Sequence, residues 1–244
     1  MSESNENKDY LKFKKISNEE TELYVYGDIM EKDFWDYWLG TGDEYTNIKS
    51  LKEALEKVDT PNLTVRINSY GGQVDQGLSI YGILRDSKLH IKTIVDGFAC
   101  SAASLIFMAG DERVVPENGL LMIHNAWMTA SGDSNEMKRV AEMLEKITQP
   151  SVDIYVKHTN LSEIEIKKMM DREEWITSKE AYEWGFSTTQ TRNGARQALE
   201  ANFVHNLVMK NKELVARNEL LEREAENNQR GKNGSWEEFF NKSK

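Results

Sequence analysis

Three short segments carry groups that could together perform acyl transfer. Ser101 lies among small residues in segment 97–104, which lets a substrate carbonyl approach its hydroxyl closely. His124 ends a short apolar run and could act as a general base. The pair Gly71 and Gly72 forms a turn whose backbone N–H groups could face an oxyanion. Nucleophile, base and oxyanion donors are the parts that acyl transfer requires.

Length and charge narrow the class of protein. The 244 residues are 39% hydrophobic, which is enough for one sizeable core with appendages. The net charge of −10 argues against general nucleic-acid binding, which requires a basic face. No apolar run approaches the ~18 residues of a membrane span, and the first residues do not resemble a signal peptide. The single cysteine excludes an internal disulfide and fits a reducing compartment, so we expect a cytoplasmic location.

Strand-like and helix-like segments alternate along the first half of the chain. Strands are predicted from runs rich in β-branched and aromatic residues, and helices from apolar residues at helical spacing. The alternation predicts βαβ crossovers and an α/β fold around a mostly parallel sheet. The predicted strands cover residues 22–27, 63–67, 90–95, 114–115 and 120–124, and the predicted helices cover 48–58, 74–84 and 102–108.

The second half is predominantly helical. A long helical pattern covers residues 134–157, and Pro150 predicts a kink or a break within it. Capping-box patterns that begin at Ser162 and Thr177 predict the starts of two shorter helices. The second of these should end at Gly185, because glycine readily adopts the left-handed conformation of a helix C-cap.

Composition divides the chain into three parts. Residues 1–20 are polar and predict a mobile N-terminal segment, although their few apolar side chains could form a loop. Residues 21–190 form the predicted α/β domain. Residues 191–244 predict a charged, partly helical extension whose leucines recur every seven residues but are separated by charged seam positions. This pattern is a weak coiled-coil signal, and a solvated or partly disordered helix is the competing interpretation.

Four motifs, in residues 67–72, 97–104, 122–124 and 175–185, together resemble a known family, the proteolytic subunit of the Clp protease (ClpP). The resemblance covers about residues 20–190 and keeps both the order and the spacing of four separate motifs. A closer likeness is to the phage-borne branch, the ClpP-related head maturation proteases, because of segment 23–27, Trp175 and the charged tail.

The resemblance implies a role for each matching residue. Ser101 would be the nucleophile and His124 its general base, while the backbone N–H groups of Gly72 and Ala102 would form the oxyanion hole. The implied fold is ClpP/crotonase-like, with residues 134–157 as a projecting handle helix. In the family, such handles interlock two rings into a barrel with the active sites inside, which implies a homo-oligomeric ring, a heptamer or tetradecamer. No cofactor and no metal are implied.

The sequence departs from the family pattern at three places. Tyr70 replaces a proline that usually precedes the glycine pair, and Ala102 and Ala103 stand where the family has Met-Gly. The family's triad aspartate corresponds to Glu173, whose side chain is one methylene longer. Glutamate can orient the histidine in such triads, so Glu173 is the first candidate. Asp171 is a competing candidate, and a site without a third member is the remaining alternative.

Other residues near these motifs have simpler interpretations. Ser104 is interpreted as a packing residue on the helix that follows Ser101, and Cys100 as a buried packing residue rather than a reactive thiol. The remaining histidines have no partners at metal-ligand spacing, and we assign them to the surface or the core. They are His90, His158 and His205.

Four functions follow as hypotheses. The first is a serine endopeptidase that cleaves phage capsid or scaffold proteins during virion maturation, in the host cytoplasm. The second is a degradative Clp peptidase supplied with protein substrates by an AAA+ unfoldase. The third is a hydratase or isomerase on the crotonase fold, against which the pairing of Ser101 with His124 argues. The fourth is an inactive ring or scaffold subunit, and only the glutamate at position 173 favours it.

Overall fold

A computed structural model describes residues 11–29 and 48–190, and the statements below concern these residues. They form a seven-stranded sheet with α-helices packed against it. The predicted C-terminal extension 191–244 and residues 1–10 lie outside the described residues. The strands are β1 (Leu11–Lys15), β2 (Glu20–Ile29), β3 (Asn62–Gly72), β4 (His90–Cys100), β5 (Glu112–Val114), β6 (Leu120–Ile123) and β7 (Glu174–Thr177).

Six helices are assigned in the described part of the chain. None of them is long and apolar enough to cross a membrane. The helices are α1 (Ile48–Glu56), α2 (Val74–Asp86), α3 (Ala102–Phe107), α4 (Ser134–His158), α5 (Glu163–Asp171) and α6 (Ser178–Trp184).

The sheet is parallel through its centre. Its order is β1-β2-β3-β4-β6-β7, with β5 paired to β4 beside this path. The pairs β2–β3, β3–β4, β4–β5 and β4–β6 are parallel, whereas β1 and β7 are antiparallel to their neighbours. This confirms the predicted α/β fold. Because parallel strands end at the same edge, the carboxyl ends of β3, β4 and β6 are brought together.

The N-terminal prediction is wrong for the part of the segment that the structure describes. Leu11–Lys15 form β1 instead of a mobile segment or loop, and this strand pairs with β2 in the register Leu11↔Val25 to Lys15↔Thr21. The reason lies in the alternation of apolar and lysine residues, which gives β1 one apolar face. Phe13 on that face packs against the core. A short polar run does not reveal this pairing until its partner strand is known.

The long helix α4 is continuous through Pro150, so of the predicted kink or break the break does not occur. Proline removes one backbone donor, but burial of the residues that follow it offsets the lost hydrogen bond. Most of the helix before Pro150 is exposed, whereas Val152, Ile154 and Tyr155 after it are buried in the core. Helix α4 is therefore anchored at its C-terminal half and projects at its N-terminal half.

The predicted helix ends are confirmed. The Ser162 hydroxyl accepts from the Glu165 backbone N–H while the Glu165 carboxylate accepts from the Ser162 N–H, which is a capping box. Thr177 and Glu180 form the same reciprocal pair at the start of α6. Helix α6 ends at Gly185, which has φ 85° in the left-handed region.

Candidate active site

Ser101 occupies a strained turn between β4 and α3. Its φ of 53° and ψ of −125° lie outside the regions that non-glycine residues usually adopt. The Ser101 backbone N–H donates to the Met122 carbonyl at 2.8 Å, which fixes the turn against β6. A strand–turn–helix element with a strained serine is the geometry that exposes a nucleophile.

Gly71 is required by the close approach of two backbone turns. It has φ 96°, and a Cβ placed on it would lie 2.6 Å from the Cys100 carbonyl oxygen and 2.7 Å from the Ser101 Cβ. The same Cβ would lie 3.0 Å from the Ala102 nitrogen. Because no side chain fits there, glycine lets the end of β3 lie directly against the turn that carries Ser101.

His124 contacts Ser101 through a hydrogen bond. Its Nε2 lies 2.7 Å from the Ser101 Oγ. The register of the sheet explains the contact, because Cys100 of β4 pairs with Met122 of β6. Ser101 directly follows β4, and His124 directly follows β6. The parallel pairing therefore joins two residues that are 23 positions apart in the sequence.

The pairing of β6 with β7 ends next to His124 and Glu173. In this antiparallel pair Met122 is opposite Trp175 and Ile123 is opposite Glu174, so His124 and Glu173 each adjoin the last pair of the register. Glu173 itself has φ 52°, one of two positive values among the described non-glycine residues.

Asp171, the competing candidate, lies two residues further from β7 along the chain. Its carboxylate accepts a hydrogen bond of 2.9 Å from the Asn125 side-chain amide, in an exposed position. Glu173 thus directly precedes β7, whereas the Asp171 carboxylate is bonded to Asn125.

The two predicted oxyanion donors, Gly72 and Ala102, adjoin the contact between Gly71 and the Ser101 turn. Ala102 is the first residue of α3, so its N–H has no acceptor within the helix. The Gly71 N–H donates to the Ser69 hydroxyl at 3.0 Å, and Gly72 has φ 151° at the end of β3.

A cluster of three aromatic rings, which the sequence did not reveal, joins the segments that carry Gly72, Ser101 and Glu173. The rings of Tyr70 and Phe98 have centroids 5.3 Å apart, and those of Phe98 and Trp175 are 5.8 Å apart in an edge-to-face arrangement. Each ring lies within three residues of a predicted site residue. The sequence singled out Tyr70 as a replacement for proline and Trp175 as a feature of the phage-borne branch, but not their contacts with Phe98, because long-range ring contacts leave no local pattern.

The remaining histidines and the cysteine lie where simple packing predicts. Cys100 is fully buried at the end of β4. His90 is exposed near Asp111 and Glu112. The Nε2 of His158 lies 2.9 Å from the Tyr81 hydroxyl. His205 lies outside the described residues. No group of three potential metal-ligating side chains was found within residues 11–29 and 48–190.

Fold and site together define the class of protein as a serine peptidase, since a serine bonded to a histidine on a strand–turn–helix element can attack a peptide carbonyl. Comparison with known proteins specifies the family. The family model described as Clp protease matches residues 47–189. The chain is also 32% identical over 154 residues to the ATP-dependent Clp protease proteolytic subunit of Deinococcus radiodurans. This match covers 61% of this chain and 76% of that relative. The chain belongs to the Clp protease family and is a serine-type endopeptidase.

Proposed function

We propose that Ser101 is the nucleophile, His124 the general base and Glu173 the acid that orients the histidine. The observation that carries this assignment is the 2.7 Å contact between the Ser101 Oγ and the His124 Nε2. The strained Ser101 backbone supports it, as does the end of the β6–β7 register at Ile123 and Glu174, the neighbours of His124 and Glu173. A subunit that retained the ring but had lost its chemistry would have no need to keep this contact.

The reaction proceeds in two acyl-transfer steps. His124 Nε2 accepts the Ser101 hydroxyl proton as Oγ bonds to the substrate carbonyl carbon, and the N–H groups of Gly72 and Ala102 stabilise the negative oxygen. The protonated histidine then donates its proton to the amine as the C–N bond breaks. Water, deprotonated by His124, attacks the acyl-enzyme and releases the acid with Ser101 restored. Glu173 holds the imidazole in the tautomer that leaves Nε2 free to accept the proton.

The protein works in a homo-oligomeric ring, a heptamer or tetradecamer, with protein or peptide substrates inside. The projecting N-terminal half of α4 supports this assembly, because it exposes apolar side chains such as Met143, 41% exposed, outside the core of its own subunit. Native mass spectrometry of the full chain tests the ring. A protein that is monomeric and fully active at assay concentrations would contradict it.

The substrates are phage capsid or scaffold proteins that are cleaved during virion maturation. Segment 23–27, Trp175 and the charged extension 191–244 support this branch of the family. The second candidate is degradation with an AAA+ unfoldase, which the name of the Deinococcus radiodurans relative favours, since that protein is named as the proteolytic subunit of an ATP-dependent protease. Cleavage of purified scaffold protein without ATP would support maturation. Cleavage that depends on an unfoldase and ATP would support degradation.

A fluorophosphonate probe tests the catalytic assignment directly. Intact mass is measured for the wild-type chain and for Ser101→Ala after labelling. We expect one adduct per wild-type chain and none on Ser101→Ala, because only an activated serine reacts with the probe. Ser104→Ala is the matched control for a neighbouring hydroxyl and should still be labelled. Equal labelling of wild type and Ser101→Ala would contradict the proposal.

A further inference from the structure

A buried polar pair lies behind the nucleophile. Ser104 on α3 is 1% exposed and Tyr155 on α4 is 2% exposed, and their side-chain oxygens are 2.7 Å apart. Burial raises the pKa of Tyr155, so its hydroxyl carries a proton. Burying a hydroxyl lowers stability unless the hydroxyl is hydrogen-bonded. The hydrogen bonds that these two side chains make are therefore the feature to follow.

The hydrogen bonds run in one direction, toward the nucleophile. The Ser104 hydroxyl donates to the Ser101 carbonyl at 2.6 Å, and the Ser104 backbone N–H donates to the same oxygen at 2.9 Å. Because the single hydroxyl proton of Ser104 is used in this bond, Tyr155 must be the donor in the bond between the two side chains. The chain therefore runs from Tyr155 through Ser104 to the carbonyl of Ser101.

The Ser101 carbonyl belongs to the same peptide unit as the Ala102 N–H. This peptide is trans, so the two groups point in opposite directions in one rigid plane. Holding the carbonyl on the buried side therefore aims the N–H at the opposite side. Hydrogen bonds to the carbonyl also polarise the peptide and strengthen its N–H as a donor.

We infer that Ser104 and Tyr155 are positioning residues for the oxyanion hole, acting through the peptide that joins Ser101 to Ala102. The inference rests on the proposed function, in which the Ala102 N–H is an oxyanion donor. It adds a polar role to Ser104, whose burial agrees with its interpretation as a packing residue. It also gives the anchored half of α4 a role in catalysis, because Tyr155 is supplied by that helix.

The experiment measures kcat and KM of the full-length, assembled protein with a short fluorogenic peptide amide. Tyr155→Phe should lower kcat by about 3- to 30-fold and leave KM within about twofold, because the oxyanion forms only in the transition state. The loss should be smaller than the ~10²–10³-fold cost of removing a whole oxyanion donor. Affinity for a peptide boronate, whose tetrahedral adduct places an oxygen in the same hole, should fall in parallel with kcat.

A double-mutant cycle tests whether Tyr155 acts through Ser104. Ser104→Ala alone should lower kcat, and adding Tyr155→Phe should lower it no further. Ser104→Ala leaves the buried Tyr155 hydroxyl without its partner, but the double variant leaves neither hydroxyl in place, so it serves even if Ser104→Ala folds poorly. Tyr81→Phe is the matched control, because the Tyr81 hydroxyl also reaches α4, 2.9 Å from His158 Nε2, yet does not lead to Ser101.

The outcomes separate this inference from the proposed function. A wild-type kcat in Tyr155→Phe and in the double variant would overturn the inference while an inactive Ser101→Ala upheld the catalytic serine. A similar kcat loss in Tyr81→Phe would also overturn it, since loosening of α4 would then explain both. An active, unlabelled Ser101→Ala would instead refute the proposed function itself.

Discussion

Ile123 of β6 lies opposite Glu174 of β7, and His124 and Glu173 are the residues that adjoin this last pair of the antiparallel register. This relationship supports Glu173 as the acid in the proposed triad. The competing acid, Asp171, lies two positions earlier in the sequence, and its carboxylate accepts a hydrogen bond from Asn125.

Replacing Glu173 should therefore reduce turnover more than replacing Asp171. We expect Glu173→Gln to lower kcat by about 10²–10⁴-fold, because an amide cannot stabilise the imidazolium and favours the wrong tautomer. Asp171→Asn is the matched control and should stay within about threefold of wild type. Steady-state kinetics on a peptide amide measures both. The opposite ranking would assign the triad acid to Asp171, and two active variants would indicate a site without a third member.

Substituting Gly71 should disable the site, because its absent side chain is what lets two turns meet. We expect Gly71→Ala to lower the free energy of unfolding by about 2–5 kcal/mol through its positive φ and the backbone contacts of the added Cβ. The activity of Gly71→Ala should fall as well.

The control is Gly82→Ala in α2, where a Cβ has no neighbour within 4 Å. That change should stabilise the protein by about 0.5–1 kcal/mol. Urea unfolding of both variants provides the comparison, and a stable, active Gly71→Ala would refute the argument.

The aromatic cluster should contribute to both stability and turnover. Phe98→Leu keeps an apolar side chain but removes ring contacts with Tyr70 and Trp175, and we expect a loss of about 1–3 kcal/mol in unfolding free energy. Since these rings join the segments that carry the site residues, kcat should fall as well. Thermal unfolding and kinetics are measured together. Phe98→Tyr, which keeps the ring, should recover most of both losses. Wild-type behaviour in Phe98→Leu would show that the cluster has no positioning role.

His158 should make the folded state sensitive to mild acid. Burial, followed by the nearby Arg113 cation, lowers its pKa from 6.5 to about 4. Between these values the unfolded chain binds the proton and the folded chain does not, so stability is complete above about pH 6.5 and falls as the pH drops toward about 4. With solvent screening, the loss should be about 1–2 kcal/mol.

Urea unfolding at several pH values tests this sensitivity. The difference in stability between pH 7.5 and pH 4.5 should shrink in His158→Gln, whereas His90→Gln, at an exposed histidine, should keep the wild-type difference. An unchanged pH dependence in His158→Gln would show that other groups cause the acid sensitivity.

The sequence by itself determined much of the local structure and pointed to two residues, Ser101 and His124, whose side chains are in hydrogen-bonding contact. Helix ends at Ser162, Thr177 and Gly185 were predicted because capping depends on residues within one turn. Ser101 and His124 were found because each lies in a short, distinctive motif. Periodicity likewise predicted the α/β alternation, since burial of one helix face or strand face is written into local spacing.

Only the tertiary structure decided which distant residues meet. The pairing of β1 with β2, the contact of Gly71 with the Ser101 turn and the bond between Ser104 and Tyr155 all join segments far apart in sequence. No local pattern encodes such contacts, because they depend on strand register and on how closely two backbones pack. For the same reason the sequence left Glu173 and Asp171 as alternatives, and the proposal of Glu173 draws on the pairing of β6 with β7.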